Sequence, residues 1–324
     1  MDSQVENAIE IAFNPATDQT LKGQAYDFLN QLRQDPNSWQ VCLTLFVRPA
    51  APSEVVRVVA LEILNNAVQT QQLDQQSLVY IRDNLMGYVR QRYATGSQQV
   101  DSPRIQNKLT QTFTYLFTYL YASEWTSFFD EFRSLAGEGS EIGTTNPVAT
   151  ILYLRIVGSV HDEIADQLIP RTPEEAKRSN DLKDLVRARD VNKIAATWQD
   201  ILSRWQQIDL GIVEACLRTV AKWVSWIDIW LVINQNIQSA LLQLAGQQGT
   251  HGADSKEARA RDAAIDTFTE TVGKKMSAGD KIELIRYLNL GTIVGQLISS
   301  PALSELRTTP QYDTDLAETV AKLV

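Results

Sequence analysis

The chain has 324 residues, only 15 glycines and 10 prolines, and 44% of its residues are hydrophobic. The apolar content is enough for a large core, and the low glycine and proline content argues against a turn-rich all-β protein. The formal net charge of -9 disfavours nonspecific binding to nucleic acid or to an anionic membrane, and favours a basic protein partner.

Helical patterns recur in pairs along the chain, separated by short breaks rich in Pro, Gly, Ser or Asp. The spacing of the pairs is close to the roughly 40–47 residues of HEAT-type repeats. We therefore predict an all-α, right-handed α-solenoid of about seven HEAT-like helix pairs. The predicted pairs are 2–12 with 18–34, 38–48 with 53–70, 74–93 with 102–121, 123–136 with 145–169, 181–205 with 209–228, 229–246 with 255–275, and 279–290 with 291–307, followed by the start of a further helix near Asp315.

The faces of individual helices support this prediction. At 100° per residue, the helix at 103–121 has one apolar arc and one polar arc, which is typical of a helix with one buried face. The helix at 53–70 has a wider apolar arc and a narrow polar stripe of Glu54, Glu62, Asn65, Asn66 and Gln69. Arg57 lies within the apolar arc, so we expect it to pair with a side chain or carbonyl of an adjacent repeat.

No pattern in the sequence indicates catalysis, and we predict neither enzyme activity nor a cofactor or metal. His161 and His251 have no ligand at metal-binding spacing, and a solvated histidine is expected at His161. Cys42 and Cys216 are predicted to be reduced core thiols. The glycine-rich stretch at 137–147 follows a helix rather than a strand and lacks a Walker lysine, so it is interpreted as a linker.

The chain shows no signal peptide and no apolar stretch of about 18 residues, and it is expected to be soluble and intracellular. The seven tryptophans recur at helical spacing, as in Trp198 with Trp205 and in Trp223, Trp226 and Trp230. Such stripes are usually core between repeats, although an exposed aromatic groove that binds partner segments is the alternative.

A basic cluster occupies residues 171–193. One interpretation is a solvated helix surface with ion pairs at i,i+4. The other is an electrostatic contact to an RNA backbone. Together with two residues of the helix at 209–228, the candidate RNA-binding residues are Lys177, Arg178, Lys183, Arg187, Arg189, Arg218 and Lys222.

Several stretches resemble a known family. The N-terminal stretches LKGQAYDFLNQL, SWQVCLTLF and SEVVRVVALEILNNAV resemble the N-terminal region shared by importin-β-like transport receptors, and IQNKLTQTFTYLF with ASEWTSFFDEF is similar to exportin repeats. The segments IPRTPEEAKRSNDLKDLVRARD and IVEACLRTVAKWVSWIDIWLVIN are similar to fungal exportin-T proteins. By these segments, the chain resembles the exportin-T (tRNA exportin) family of the importin-β superfamily over nearly its whole length.

The resemblance implies a nuclear export receptor. Such a receptor binds tRNA cooperatively with Ran in its GTP form, contacts FG-repeat proteins of the nuclear pore, shuttles between nucleus and cytoplasm, and releases its cargo after GTP hydrolysis. We expect a monomer that does not insert into membranes and that continues beyond Val324. The resemblance places Ran on the polar faces of the inner helices, with Asp27, Gln31, Asn65, Gln69, Arg104, Lys108 and Gln111 as candidate contacts.

Two regions are expected: 1–136 as HEAT repeats of the Ran-binding importin-β type, and 145–324 as continuing exportin-type repeats. Three alternatives stay open from the sequence. The first is a transport receptor with protein cargo, the second is a static α-solenoid scaffold whose polar stripes are solvated faces, and the third is a helical enzyme. Binding that depends on the nucleotide of Ran separates the first from the other two.

Overall fold

The computed structural model describes residues 2–70, 73–93, 101–137, 146–246, 255–300 and 314–323, together with 303 and 312. These residues form α-helices and no β-strand, which confirms the predicted all-α class. The helices are α1 (Asp2–Phe13), α2 (Gln19–Gln34), α3 (Ser38–Val47), α4 (Glu54–Thr70), α5 (Gln75–Tyr93), α6 (Pro103–Leu120), α7 (Phe128–Leu135), α8 (Pro147–Ile164), α9 (Pro173–Arg189), α10 (Val191–Trp205), α11 (Leu210–Val224), α12 (Ile229–Val232), α13 (Gln235–Ala245), α14 (Lys256–Gly273), α15 (Ala278–Leu288), α16 (Leu290–Ile298) and α17 (Thr314–Leu323).

The chain divides into two compact units. The first comprises Met1–Ile164 and Pro170–Leu182, and the second comprises Ala165–Ile169 and Lys183–Val324. In the first unit α1 packs on α2, α3 on α4, α5 on α6 and α7 on α8. The second helices of neighbouring pairs also lie side by side, α4 against α6 and α6 against α8. This arrangement is the predicted stack of helix pairs.

The second unit repeats the scheme with α10 on α11 and α13 on α14. Here too the second helices lie side by side, α11 against α14 and α14 against α17. The segment near Asp315 was predicted to start a further pair. The structure has a helix there, α17, whose Leu316 and Val320 are buried and which packs beside α14.

Local sequence sets the helix ends. Asp18 caps α2 by accepting from the backbone N–H groups of Thr20 and Leu21, and Ser102 with Pro103 begins α6 in the same way. Asn289 adopts a left-handed φ of 53° between α15 and α16, a conformation that asparagine tolerates better than most residues. Two predicted helices are divided in the structure, one without a side-chain cap at Asp190 and one at the capping residue Asn234. The one at 181–205 divides at Asp190, and the one at 229–246 divides at Asn234.

Burial agrees with most of the predicted faces. In α6 the whole apolar arc is buried, and the two cysteines are buried free thiols. Two expectations are wrong. Asn65, placed in the polar stripe of α4, is only 5% exposed, and His161, expected to be solvated, is buried within α8. Both lie where a second helix is flanked by another second helix, which covers more of its circumference than a single partner does. His251 and residues 138–145 of the glycine-rich linker lie outside the described residues.

The tryptophan stripe is mainly core. Trp198, Trp205 and Trp223 are buried, and Trp198 meets Trp223 edge to face with ring centroids 5.7 Å apart. Trp230, by contrast, is 44% exposed and packs its edge against Tyr287. The core interpretation therefore holds for Trp198, Trp205 and Trp223, and Trp230 is exposed.

Candidate partner-binding surfaces

A polar groove lies on the second helices of the first unit. It has a volume of about 280 Å³, and we call it the α4–α6 groove. Four carboxamide side chains, two cations, one carboxylate and one isoleucine form its lining. These residues are Arg33, Glu62, Ile63, Asn65, Asn66, Gln69, Lys108 and Gln111.

One hydrogen-bond relay crosses the groove from α4 to α6. The Nδ2 of Asn65 donates to Oε1 of Gln111 at 2.8 Å, and Nε2 of Gln111 donates to the hydroxyl oxygen of Tyr115 at 3.0 Å. Burial raises the pKa of Tyr115 above its usual value, so the phenol stays protonated at neutral pH. The relay fixes the positions of both amides relative to α4 and α6.

The groove brings together four of the seven candidate Ran contacts: Asn65, Gln69, Lys108 and Gln111. Asp27, Gln31 and Arg104 are exposed but do not line it. Sequence reasoning did not single out Arg33, and it left Glu62 and Asn66 unassigned although they belong to the predicted polar stripe of α4. Which of these residues contact a partner stays a prediction.

The basic candidates fall in both units. In the first unit Lys177 is exposed, and Arg178 stacks over the ring of Tyr119 at 5.3 Å. Burial raises the pKa of the nearby Glu163 carboxyl, and the guanidinium groups of Arg171 and Arg178 oppose this shift. Arg178 therefore has an aromatic neighbour and a carboxylate neighbour within its own unit.

In the second unit Arg187 is tied to the end of α11. Its Nε donates to the carbonyl of Trp226 at 3.0 Å, its side chain pairs with Asp184, and its guanidinium lies over the Trp226 ring at 5.3 Å. Lys274 donates to the neighbouring carbonyls of Val224 and Ser225. Burial lowers the pKa of Lys274. Cations at the last carbonyls of a helix are favourable, so both residues have a structural role.

A second group of charges joins α11 to α14, and we call it the Glu214 face. Glu214 accepts from Nε of Arg218 and from Nε of Arg259, both at 3.0 Å. Arg218 also approaches Asp266 at 3.8 Å. Lys222, one turn further along α11, is exposed, as is Arg218, whereas Lys183 and Arg189 are half-buried. The predicted basic residues of this unit therefore do not form an uncompensated stripe.

Comparison with known proteins supplies the family. The Exportin 1-like protein model matches residues 102–268, more than half of the chain, and the importin-beta N-terminal domain model matches residues 25–91. The chain belongs to the exportin 1-like protein family. In this family member the α4–α6 groove draws on both matched segments, since Arg33, Glu62 and Gln69 lie in the first and Lys108 and Gln111 in the second.

Curated relatives named Exportin-T match the whole of this exportin 1-like chain. Identity is 56% to the protein of Phaeosphaeria nodorum, 55% to that of Chaetomium globosum and 53% to that of Aspergillus oryzae. The chain spans about a third of their length, 31% of the first two and 32% of the third. A solved chain from a Pds5–Scc1 complex structure aligns over 99% of this chain at 13% identity with a TM-score of 0.33, too low to support an argument.

A buried ionic cluster lies in the first unit of the exportin 1-like chain. Asp101 accepts from Arg57 at 2.9 Å, from Arg92 at 2.9 Å and from the hydroxyls of Tyr88 and Tyr93, and its side chain is fully buried. Burial and the Asp101 charge raise the pKa of both tyrosines well above the usual value. The predicted pairing of Arg57 is thereby confirmed. Its partner is a residue just before α6.

Neither a metal-binding cluster nor a membrane-spanning helix is present in the described ranges. Within them no three His, Cys, Asp or Glu side chains cluster closely enough to hold a metal ion. In the same ranges no helix has the length and hydropathy needed to cross a bilayer. A second cavity of about 470 Å³ lies beside the Asp209–Lys256 ion pair and contains none of the predicted contact residues.

Proposed function

We propose that the protein is a nuclear export receptor for tRNA. In this proposal it binds tRNA together with GTP-bound Ran in the nucleus, passes the pore by contacting FG-repeat proteins, and releases tRNA in the cytoplasm after GTP hydrolysis. It acts as a monomer and shuttles between the two compartments. We assign no catalytic step to the chain, because the activity proposed is binding and transport.

One observation carries the proposal. The chain matches proteins named Exportin-T from end to end at more than half identity, and the helices within each unit stack in pairs. The α4–α6 groove supports a protein partner at this end, because it combines carboxamides with charges of both signs. The chain is a third of its relatives' length, so the proposal concerns the whole receptor of which this chain forms part.

The test is a binding assay with Ran locked in its GTP or GDP form, with and without tRNA. The expected result is binding of the GTP form alone, strengthened by tRNA, because coupling between two ligands on one receptor is reciprocal. Binding indifferent to the nucleotide contradicts the proposal. Binding of Ran-GTP that tRNA does not change points to a receptor for protein cargo instead.

A further inference from the structure

The first helix pair, α1 with α2, is attached to its unit differently from the pairs that follow. α4 and α6 lie side by side, as do α6 and α8, but α2, described over its whole length, makes no comparable contact with α4. α2 packs mainly on α1 and only slightly on α3, so α1 carries most of the contact with α3 and α4. The pair therefore meets the rest of the unit through one helix and one short connection, residues 35–37.

This attachment buries few side chains. Within the described range 2–70, α1 buries four residues and α2 three, whereas α4 alone buries ten. Hydrophobic stabilisation scales with the apolar area removed from water, and two of the four buried residues of α1 are alanines. Phe13 and Tyr26 hold α1 to α2 edge to face, with ring centroids 6.1 Å apart. The pair is therefore better joined within itself than to its unit, which favours its separation as one body.

Polar bonds join α1 to the corner between α3 and α4, and we call them the corner ties. Both oxygens of the Glu6 carboxylate accept from the guanidinium of Arg48, at 2.9 and 3.1 Å. Glu10 accepts from the hydroxyl of Ser53 at 2.6 Å. Arg48 also donates to the carbonyl of Ala50 at 3.0 Å, which holds it in the corner. The Arg48 and Glu6 side chains are 34% and 26% exposed, so dissolved salt screens their attraction.

The next joint of the unit is protected from salt. Arg57 of α4 and Arg92 of α5 pair with Asp101, just before α6, and the hydroxyls of Tyr88 and Tyr93 donate to the same carboxylate. The Asp101 side chain is fully buried, and buried pairs are screened much less than exposed ones. Salt therefore weakens the attachment of α1 and α2 while α4, α5 and α6 stay joined.

We propose that α1 and α2 form a hinged end flap that the corner ties hold closed. The flap opens about residues 35–37 as ionic strength rises, and the rest of the first unit keeps its structure. Two helices of this length are only marginally stable in water once they lose their packing, so their backbone amides lose protection whenever the flap opens. The inference is independent of the proposed function, because it concerns the chain without any partner.

The experiment is hydrogen–deuterium exchange of the 324-residue chain, read by mass spectrometry, at about 0.05 M and about 1 M sodium chloride. The variants are Arg48→Ala and Ser53→Ala, which remove one corner tie each. The matched control is Arg133→Ala, because the contact of Arg133 with Asp130 lies within α7. Thermal unfolding of each variant checks the fold. If Arg48→Ala unfolds the chain, Ser53→Ala and the salt comparison carry the test.

In the wild-type chain, the amides of α1 and α2 are expected to exchange at least about tenfold faster than the buried amides of α4 and α6. High salt and Arg48→Ala each speed exchange in α1 and α2 by a further factor of about five to ten. Ser53→Ala speeds it about two- to threefold. Exchange in α4 and α6 stays the same in every case, and Arg133→Ala leaves α1 and α2 unchanged.

Three outcomes overturn the inference. The first is equal protection of α1, α2 and α4 in the wild-type chain, which makes the first pair an integral part of the core. The second is faster exchange that spreads evenly over the whole first unit, because the corner ties then support the unit and not a flap. The third is exchange in α1 and α2 that neither salt nor loss of a corner tie changes.

Discussion

The α4–α6 groove and the Glu214 face differ in whether the polar side chains on their second helices are paired within the chain. In the groove the amide of Asn65 is half unpaired, and Lys108 has no carboxylate partner within the described residues. On the Glu214 face, Arg218 and Arg259 are already bound by one carboxylate. A cation in the sequence is therefore not the same as an available charge. The residues whose hydrogen-bonding groups are unused identify the better candidate for a partner surface.

The largest expected effect on stability concerns the buried cluster around Asp101. Its charged and hydroxyl groups pair with one another rather than with a partner. Replacing Asp101 with alanine leaves Arg57 buried without its carboxylate and removes the acceptor of two tyrosine hydroxyls. Breaking a buried pair in this way typically costs about 3–5 kcal/mol. We expect that loss in the free energy of unfolding measured with urea. The matched control is Asp83→Ala, which removes an exposed pair with Arg82 and should cost less than about 0.5 kcal/mol.

The cluster around Asp101 shows which features of the core the sequence could predict and which it could not. An arginine within the apolar arc of α4 must find a partner, and that much follows from the helix period. The partner's identity does not follow, because Asp101 lies 44 residues away in sequence from Arg57, and only the packing of α4 against α6 brings them together. The helix pairs, the buried arc of α6 and the core tryptophans were predictable because 100° periodicity alone defines them.

The groove was predictable only in part. Gln69, Lys108 and Gln111 belong to polar stripes that the sequence shows, so their place on one surface could be expected. Arg33 comes from the neighbouring pair, and the burial of Asn65 depends on how closely α4 and α6 approach. The breaks at Asp190 and Asn234 were missed because the apolar period continues across them. Asn234 caps α13 with its side chain, whereas α9 gives way to α10 at Asp190 without a side-chain cap.

A smaller effect separates a structural cation from a free one. Arg187→Ala removes the hydrogen bond to the Trp226 carbonyl and the stacking over its ring. We expect the free energy of unfolding to fall by about 1–2 kcal/mol. Lys177→Ala, at an exposed position on α9, should leave stability unchanged. Equal unfolding curves for the two variants, measured by tryptophan fluorescence, would refute a structural role for Arg187.

Neutralising Glu214 tests whether its carboxylate masks the cations beside it. Glu214→Gln keeps the shape of the side chain but releases Arg218 and Arg259 from their shared ion pairs. If this face contacts RNA, tRNA affinity should rise about two- to fivefold, with a steeper dependence on salt. Stability should fall by less than about 1 kcal/mol. Glu283→Gln, which makes the same change at an exposed position on α15, serves as control. Equal affinities in both variants would exclude the Glu214 face from RNA binding.

The smallest effect concerns Glu163, the carboxylate beside Arg171 and Arg178 in the first unit. Burial raises the pKa of Glu163 in the folded protein, and the two guanidinium groups only partly oppose it. The folded state therefore holds the proton more tightly than the unfolded chain does. As pH rises from the unfolded-state pKa through the folded-state pKa, this carboxyl lowers the free energy of unfolding.

Glu163→Gln resembles the protonated form, so the variant should be the more stable at neutral pH, by a fraction of a kcal/mol. That advantage should shrink as the pH falls below the folded-state pKa. Urea unfolding of both proteins from pH 4 to pH 8 measures it. A wild-type chain more stable than the variant at pH 7 would mean that the attraction of the Arg171 and Arg178 charges for the Glu163 carboxylate outweighs the cost of its burial.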